Sequence, residues 1–191
     1  MGDQKIIHPI GDSHAWHVWL DISRSVPFLA GPMTLYHFGF YKPIMTKDIP
    51  IDDIVVFCYG EIDCRCHVYK HPPFDECIDK LAGNYKLAID ENVKGRDPKK
   101  VWVYNVVPPP RRDGLTGLSP ENPGYPFRGS DQERLGFVTR LNDRIREFPY
   151  TFLDIYKHYS DADGFLRMDM SDGHVHLKGK EPLQEWINAH A

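Results

Sequence analysis

Ile6-Ile7-His8-Pro9-Ile10-Gly11-Asp12-Ser13-His14 is a mostly apolar run that stops at a glycine, an acid and a hydroxyl. Read as a first strand, Lys5–Ile10, followed by a turn, it delivers Ser13 to the end of that strand. The next stretch, Ala15–Ser23, spaces Trp16, Trp19, Leu20 and Ile22 as one face of a helix does. Strand, polar turn and helix together make the opening of an α/β unit.

The alternation repeats along the chain. Thr34–Gly39 reads as a short second strand. Asp53–Tyr59 contains Ile54-Val55-Val56-Phe57-Cys58, a continuous apolar run suited to a strand buried on both faces. Phe74–Asn92 reads as a helix with Phe74, Ile78, Leu81, Tyr85 and Ala88 along one stripe. Lys100–Val107 is a further buried strand, through Val101, Val103 and Val106. Ser130 and Glu133 form a capping box for a helix running through Arg146, with Leu135, Val138, Leu141 and Ile145 as its stripe. Thr151–Tyr156 is the fifth strand, and Leu183, Trp186 and Ile187 mark a final helix. Such alternation predicts a three-layer α/β/α sandwich around a parallel sheet, with right-handed crossovers. Ligand sites in these sheets lie at the carboxyl ends of the strands. Gly11-Asp12-Ser13 and Gly60-Glu61-Ile62-Asp63 both follow strands directly, so they are expected at the same edge.

At 191 residues, with no repeats and no dividing linker, the chain reads as a single domain, 1–191. A chain of this length buries roughly 70% of its unfolded surface, enough to hold a core without disulfides or metal. Its net charge of −4 argues against a broad nucleic-acid footprint. No apolar run is long enough to span a bilayer. MGDQKIIHPI lacks the pattern of a signal peptide, so the default expectation is the cytoplasm. Cys58, Cys64, Cys66 and Cys77 crowd one stretch. No second ligand pair follows at zinc spacing, so they read as reduced thiols. No cofactor is expected.

A serine hydroxyl becomes a strong nucleophile when a histidine takes its proton and a carboxylate orients that histidine. The carboxyl-terminal part of the chain offers Asp172-Gly173-His174-Val175-His176-Leu177. Together with Gly11-Asp12-Ser13, this resembles the SGNH (GDSL-type) hydrolase family, over nearly the whole chain. The resemblance implies a flavodoxin-like sheet of five strands in the order 2-1-3-4-5. It also implies a triad of Ser13, Asp172 and His176. The family usually spaces its Asp three residues before the His, and here the spacing is four. His174 competes for the role of base, but His176-Leu177 matches the family's His-Leu pair.

The resemblance further implies an oxyanion hole. Gly39, at the end of the expected second strand, is the best match for its glycine. The third family motif, Gly-x-Asn-Asp, corresponds to Gly60-Glu61-Ile62-Asp63, with isoleucine where a donating asparagine is expected. Arg65 stands nearby, either to pair with Glu61 or Asp63 or to reach the oxyanion or an anionic substrate; His67 is a further candidate donor. His14 and His17 read as residues lining the site or the helix surface, and their spacing lacks a third metal ligand. Pro108–Gly129 carries six prolines and four glycines; its Tyr125 and Phe127 are placed to roof the site. The implied activity is hydrolysis of a short-chain acyl ester, with an O-acetylated carbohydrate as the substrate class. An acyltransferase on the same scaffold competes with it. So does a non-catalytic carbohydrate-binding domain without a full oxyanion hole.

Overall fold

The run Ile54–Cys58 is buried along its whole length, as a central strand covered on both faces must be. The computed structural model describes residues 5–31, 33–115 and 124–191. It holds one parallel sheet of β1 (Ile7–Gly11), β2 (Phe28–Leu29), β3 (Ile54–Cys58), β4 (Val101–Tyr104) and β5 (Thr151–Leu153). The strand order is β2-β1-β3-β4-β5, the expected 2-1-3-4-5.

Strand residues alternate between two apolar layers. Val55, Phe57, Val101 and Val103 face α1 (Leu35–Tyr41), α2 (Phe74–Asn92) and α3 (Asp131–Arg146). Ile54, Val56, Cys58, Trp102 and Tyr104 face the other way. There they meet α5 (Glu181–His190), the short α4 (Tyr156–Tyr159) and Trp19. The Ser130–Glu133 capping box forms as expected, each side chain serving the other's backbone N–H. No described helix is long and apolar enough to cross a membrane.

Four elements differ from the sequence reading. Thr34–Gly39 is not a strand. It is the start of α1, with Thr34 as N-cap and the Asp63 carboxylate accepting from the N–H groups of Leu35 and Tyr36 at 2.7 and 3.2 Å. These contacts satisfy donors that a helix start leaves open, and they override the β-preference of the aromatic residues. The true second strand, Phe28–Leu29, is a two-residue edge with exposed side chains, so it carries no apolar pattern. Ala15–Ser23 is not one helix but two 3₁₀ turns, Ser13–Ala15 and Val18–Asp21, which still send Val18, Trp19 and Ile22 into the core. The fourth and fifth strands end early, at Tyr104 and Leu153, because side chains take over the ladder. Asn142 accepts from Val106 N–H at 2.7 Å, and Asn105 accepts from Ile155 N–H at 3.0 Å.

Candidate active site

β1 and β3 converge at their carboxyl ends. A Cβ on Gly11 would lie 1.9 Å from the Cys58 carbonyl oxygen, so only glycine fits there. The chain then turns at Asp12, which is fully buried. Its carboxylate accepts from His14 N–H at 2.9 Å and caps the first 3₁₀ turn. Ser13 is thereby held, half-buried, at the sheet edge.

The structure brings His176 to it across 163 residues of sequence. Ser13 Oγ donates to His176 Nε2 at 3.0 Å, and His176 Nδ1 donates to Asp172 Oδ2 at 2.8 Å. The four-residue spacing is absorbed by a tight turn. Ser171 and Leu177 bridge antiparallel, and Asp172 N–H donates to His176 O at 3.2 Å. His174 gives its backbone N–H to Asp172 Oδ1 and is not in the relay. Burial and the neighbouring charge of His14 depress the His176 imidazole to about 4, against the pull of Asp172. His176 is therefore neutral, as a proton acceptor must be, through neutral pH. Burial pushes the Asp172 carboxyl up, but the hydrogen bonds from His176 and His174 outweigh it and hold it below the usual range.

Two more histidines pack around His176. His17 stacks on His176, with ring centroids 3.7 Å apart and planes 12° from parallel. Burial lowers its proton affinity. Each of His17, Asp172 and His176 offers a ligand atom within 4.8 Å of the others. In this arrangement both nitrogens of His176 are already committed to Ser13 and Asp172, which leaves neither for a metal. His14 lies beneath, buried, with Nδ1 on Asp12 Oδ1 at 2.9 Å and Nε2 on the Val175 carbonyl at 3.2 Å.

The side of the site facing β3 is built differently. Gly60 has φ +118°, which an L side chain rarely adopts, and a Cβ there would press Val106 at 2.8 Å. Ile62 is buried and offers no donor. Arg65 does not turn to the reaction centre or to Asp63. It pairs with Glu61 through Nε at 2.6 Å and Nη2 at 3.0 Å, and both residues are buried. Burial favours neutral Glu61, but the guanidinium outweighs it and keeps the carboxyl low. Asp63 is spent on the start of α1, and burial raises it to about 7. Gly39 is corrected as an oxyanion residue: it sits inside α1, packed on Asn84 of α2, 2.9 Å from where a Cβ would stand. The glycine that follows the true second strand is Gly31, with φ +73°. The sequence does not single out this position, because the exposed Phe28-Leu29 pair lacks a strand's signature. The one signal was the glycine itself, just after a short apolar run.

Phe127 does not roof the site. It is buried, 5.2 Å from the Arg65 guanidinium carbon and 5.0 Å from that of Arg134. Arg65 Nη1 also donates to the Tyr125 carbonyl at 2.5 Å. This arm of the Pro108–Gly129 segment is therefore fastened down; residues 116–123 lie outside the described residues. A groove of about 760 Å³ opens on the α1–α2 side, lined by His37, His67, Lys70 and Asn84 among others, with no member of the triad on its wall.

No protein-family model matches the chain, and no curated protein matches its sequence. Solved structures do. A protein assigned as an acylhydrolase from Bacteroides fragilis superposes with TM-score 0.61 at 16% identity, covering 99% of this chain and 87% of its own. A protein assigned to the G-D-S-L lipolytic family from Desulfitobacterium hafniense gives TM-score 0.61 at 13% identity, over 98% and 100%. An acetylxylan esterase from Geobacillus stearothermophilus gives 0.53 at 11% identity, over 100% and 95%. At such identities the likeness shows the fold: this chain has the SGNH hydrolase fold that its motifs implied.

Proposed function

We propose that this chain is a serine ester hydrolase that removes a short acyl group, with an O-acetylated carbohydrate as the substrate class. The observation that carries this reading is the continuous relay from Asp172 through His176 to Ser13, at 2.8 and 3.0 Å. His176 takes the hydroxyl proton as Ser13 Oγ attacks the ester carbonyl. Asp172 fixes the tautomer that leaves Nε2 free to accept, and it stabilises the imidazolium that forms. His176 then gives the proton to the leaving alcohol. Water, activated by the same imidazole, releases the acyl group from Ser13.

Charge develops on the carbonyl oxygen in the first step, and donors must already be aimed at it. The backbone N–H groups of Ser13 and Gly31 are the donors in this proposal. Among the described residues, the Ser13 N–H is bonded to no other group. Ile62 supplies nothing where the family has an asparagine, and one lost donor costs about 10²–10³ in rate. That substitution favours a second reading, a carbohydrate-binding domain that kept the fold without efficient turnover. An acetyl ester assay separates the two. Measured with 4-nitrophenyl acetate, hydrolysis is expected in the wild type and is expected to fall at least about 10⁴-fold in Ser13→Ala, with an unchanged melting temperature. Equal rates in the two proteins would remove the hydrolase reading.

A further inference from the structure

Both ring nitrogens of His14 face acceptors. Nδ1 meets the Asp12 carboxylate at 2.9 Å and Nε2 meets the Val175 carbonyl at 3.2 Å. A neutral imidazole has one N–H and one lone pair, so it can satisfy only one of these contacts and must aim a lone pair at the other acceptor. The doubly protonated ring satisfies both. The ring is buried and Asp12 is fully buried, with its second carboxylate oxygen left without a partner among the described residues, so beneath the nucleophile turn the carboxylate has His14 as its nearest counter-charge when the ring is protonated.

The position of this pair matters as much as its charge. Asp12 and His14 flank Ser13, and Val175 precedes His176. The Nε2 contact therefore ties the loop that carries the nucleophile to the loop that carries the base. It spans 161 residues of sequence. The His14 and His176 rings stand 5.2 Å apart, centroid to centroid.

We infer that His14 is a positioning residue: a buried imidazolium that clamps the nucleophile turn to the base loop and sets its positive charge beside the His176 ring, centroids 5.2 Å apart. This rests on the proposed hydrolase reading for its link to turnover, but the charge coupling stands apart from it. Charged and titratable groups face this pair from every side. Asp12 and Glu61 favour the protonated form of His14, and together with the Val175 carbonyl they outweigh its burial, so its proton affinity is raised. His176 is faced by His14, by His17 in the stack, and by Asp172 within its own loop. Glu61 also acts on it from the segment after β3. Burial is the largest cause of the low proton affinity of His176; among its charged neighbours His14 lowers it most, and His17, whose own proton affinity burial lowers, does so less.

The clamp and the charge can be separated. In His14→Ala both are lost. In His14→Gln the side-chain amide retains a donor for Val175 without the charge. The account predicts that the acid limb of kcat/KM for 4-nitrophenyl acetate, expected near pH 4 in the wild type, moves toward the ordinary imidazole range in both variants. It also predicts that plateau kcat falls about tenfold in His14→Ala and is largely restored in His14→Gln, with KM little changed. An NMR titration of the His176 ring reads the same displacement without turnover. An upward move of the His176 titration in the variants sustains the charge coupling even if the protein hydrolyses no ester. Folded variants whose His176 titrates as in the wild type would overturn it. An unchanged plateau in His14→Ala would overturn the clamp. If His14→Ala does not fold, the same titration in His14→Gln decides the question.

Discussion

The two halves of this site were assembled by different means. On the base side, one hydrogen-bonded chain joins Ser13, His176 and Asp172, and every member is a residue type that the chemistry demands. On the oxyanion side, the residues at the corresponding motif positions have been turned to structural work. Glu61 and Arg65 close on each other, Asp63 starts a helix, Gly39 packs one helix on another, and Ile62 is core. The difference teaches that a motif position does not carry its role with it. Ser13, His176 and Asp172 stand where a solvent-facing edge leaves their polar groups available to one another. Glu61, Asp63 and Arg65 are buried, and a buried charge is bound first to whatever neutralises it.

That contrast can be broken in three ways, taken from the largest effect downward. Asp172→Asn should lower kcat about 10³–10⁴-fold with little change in melting temperature, because an amide holds the wrong imidazole tautomer without disturbing the fold. A drop in stability with full activity would place Asp172 on the structural side instead. Arg65→Ala should act the opposite way. It leaves Glu61 buried and unpaired and releases the Tyr125–Phe127 arm, so unfolding free energy should fall by about 3–5 kcal/mol, read by chemical denaturation. A stable Arg65→Ala protein that had lost only activity would return Arg65 to the oxyanion. Gly39→Ala should cost less. The added methyl meets Asn84 Cβ at 2.9 Å and its backbone carbon at 3.1 Å. Overpacking costs about 1–3 kcal/mol, and the helix preference of alanine offsets about 0.5–1 of it. Denaturation should show that small loss, with kcat on 4-nitrophenyl acetate within about twofold of the wild type. A large fall in kcat alone would contradict the packing role.

Much of this was legible in the sequence. The buried run Ile54–Cys58 and the capping box at Ser130 announce their elements because local pattern and burial agree. The meeting of Ser13 with His176 and Asp172 was legible because the proposed roles need particular residue types at strand and helix boundaries. What stayed hidden depended on distant contacts. The carboxylate of Asp63 turns an aromatic segment that favours β into α1. The edge strand Phe28–Leu29 has no buried face to write an alternation into the chain. With β2 misplaced, the sequence points to Gly39 as the glycine after the second strand, where Gly31 stands. The double hydrogen bond of His14 was invisible for the same reason, since Val175 reaches it only through the fold.

The central claim is that Ser13 is an activated nucleophile. Intact-mass measurement after incubation with a small organophosphonate fluoride tests it most directly, because the reagent needs a working base and a site for the phosphoryl oxygen but no knowledge of the substrate. The account predicts one adduct per wild-type chain and none on Ser13→Ala. An unmodified wild-type protein, or equal labelling of both, would contradict it.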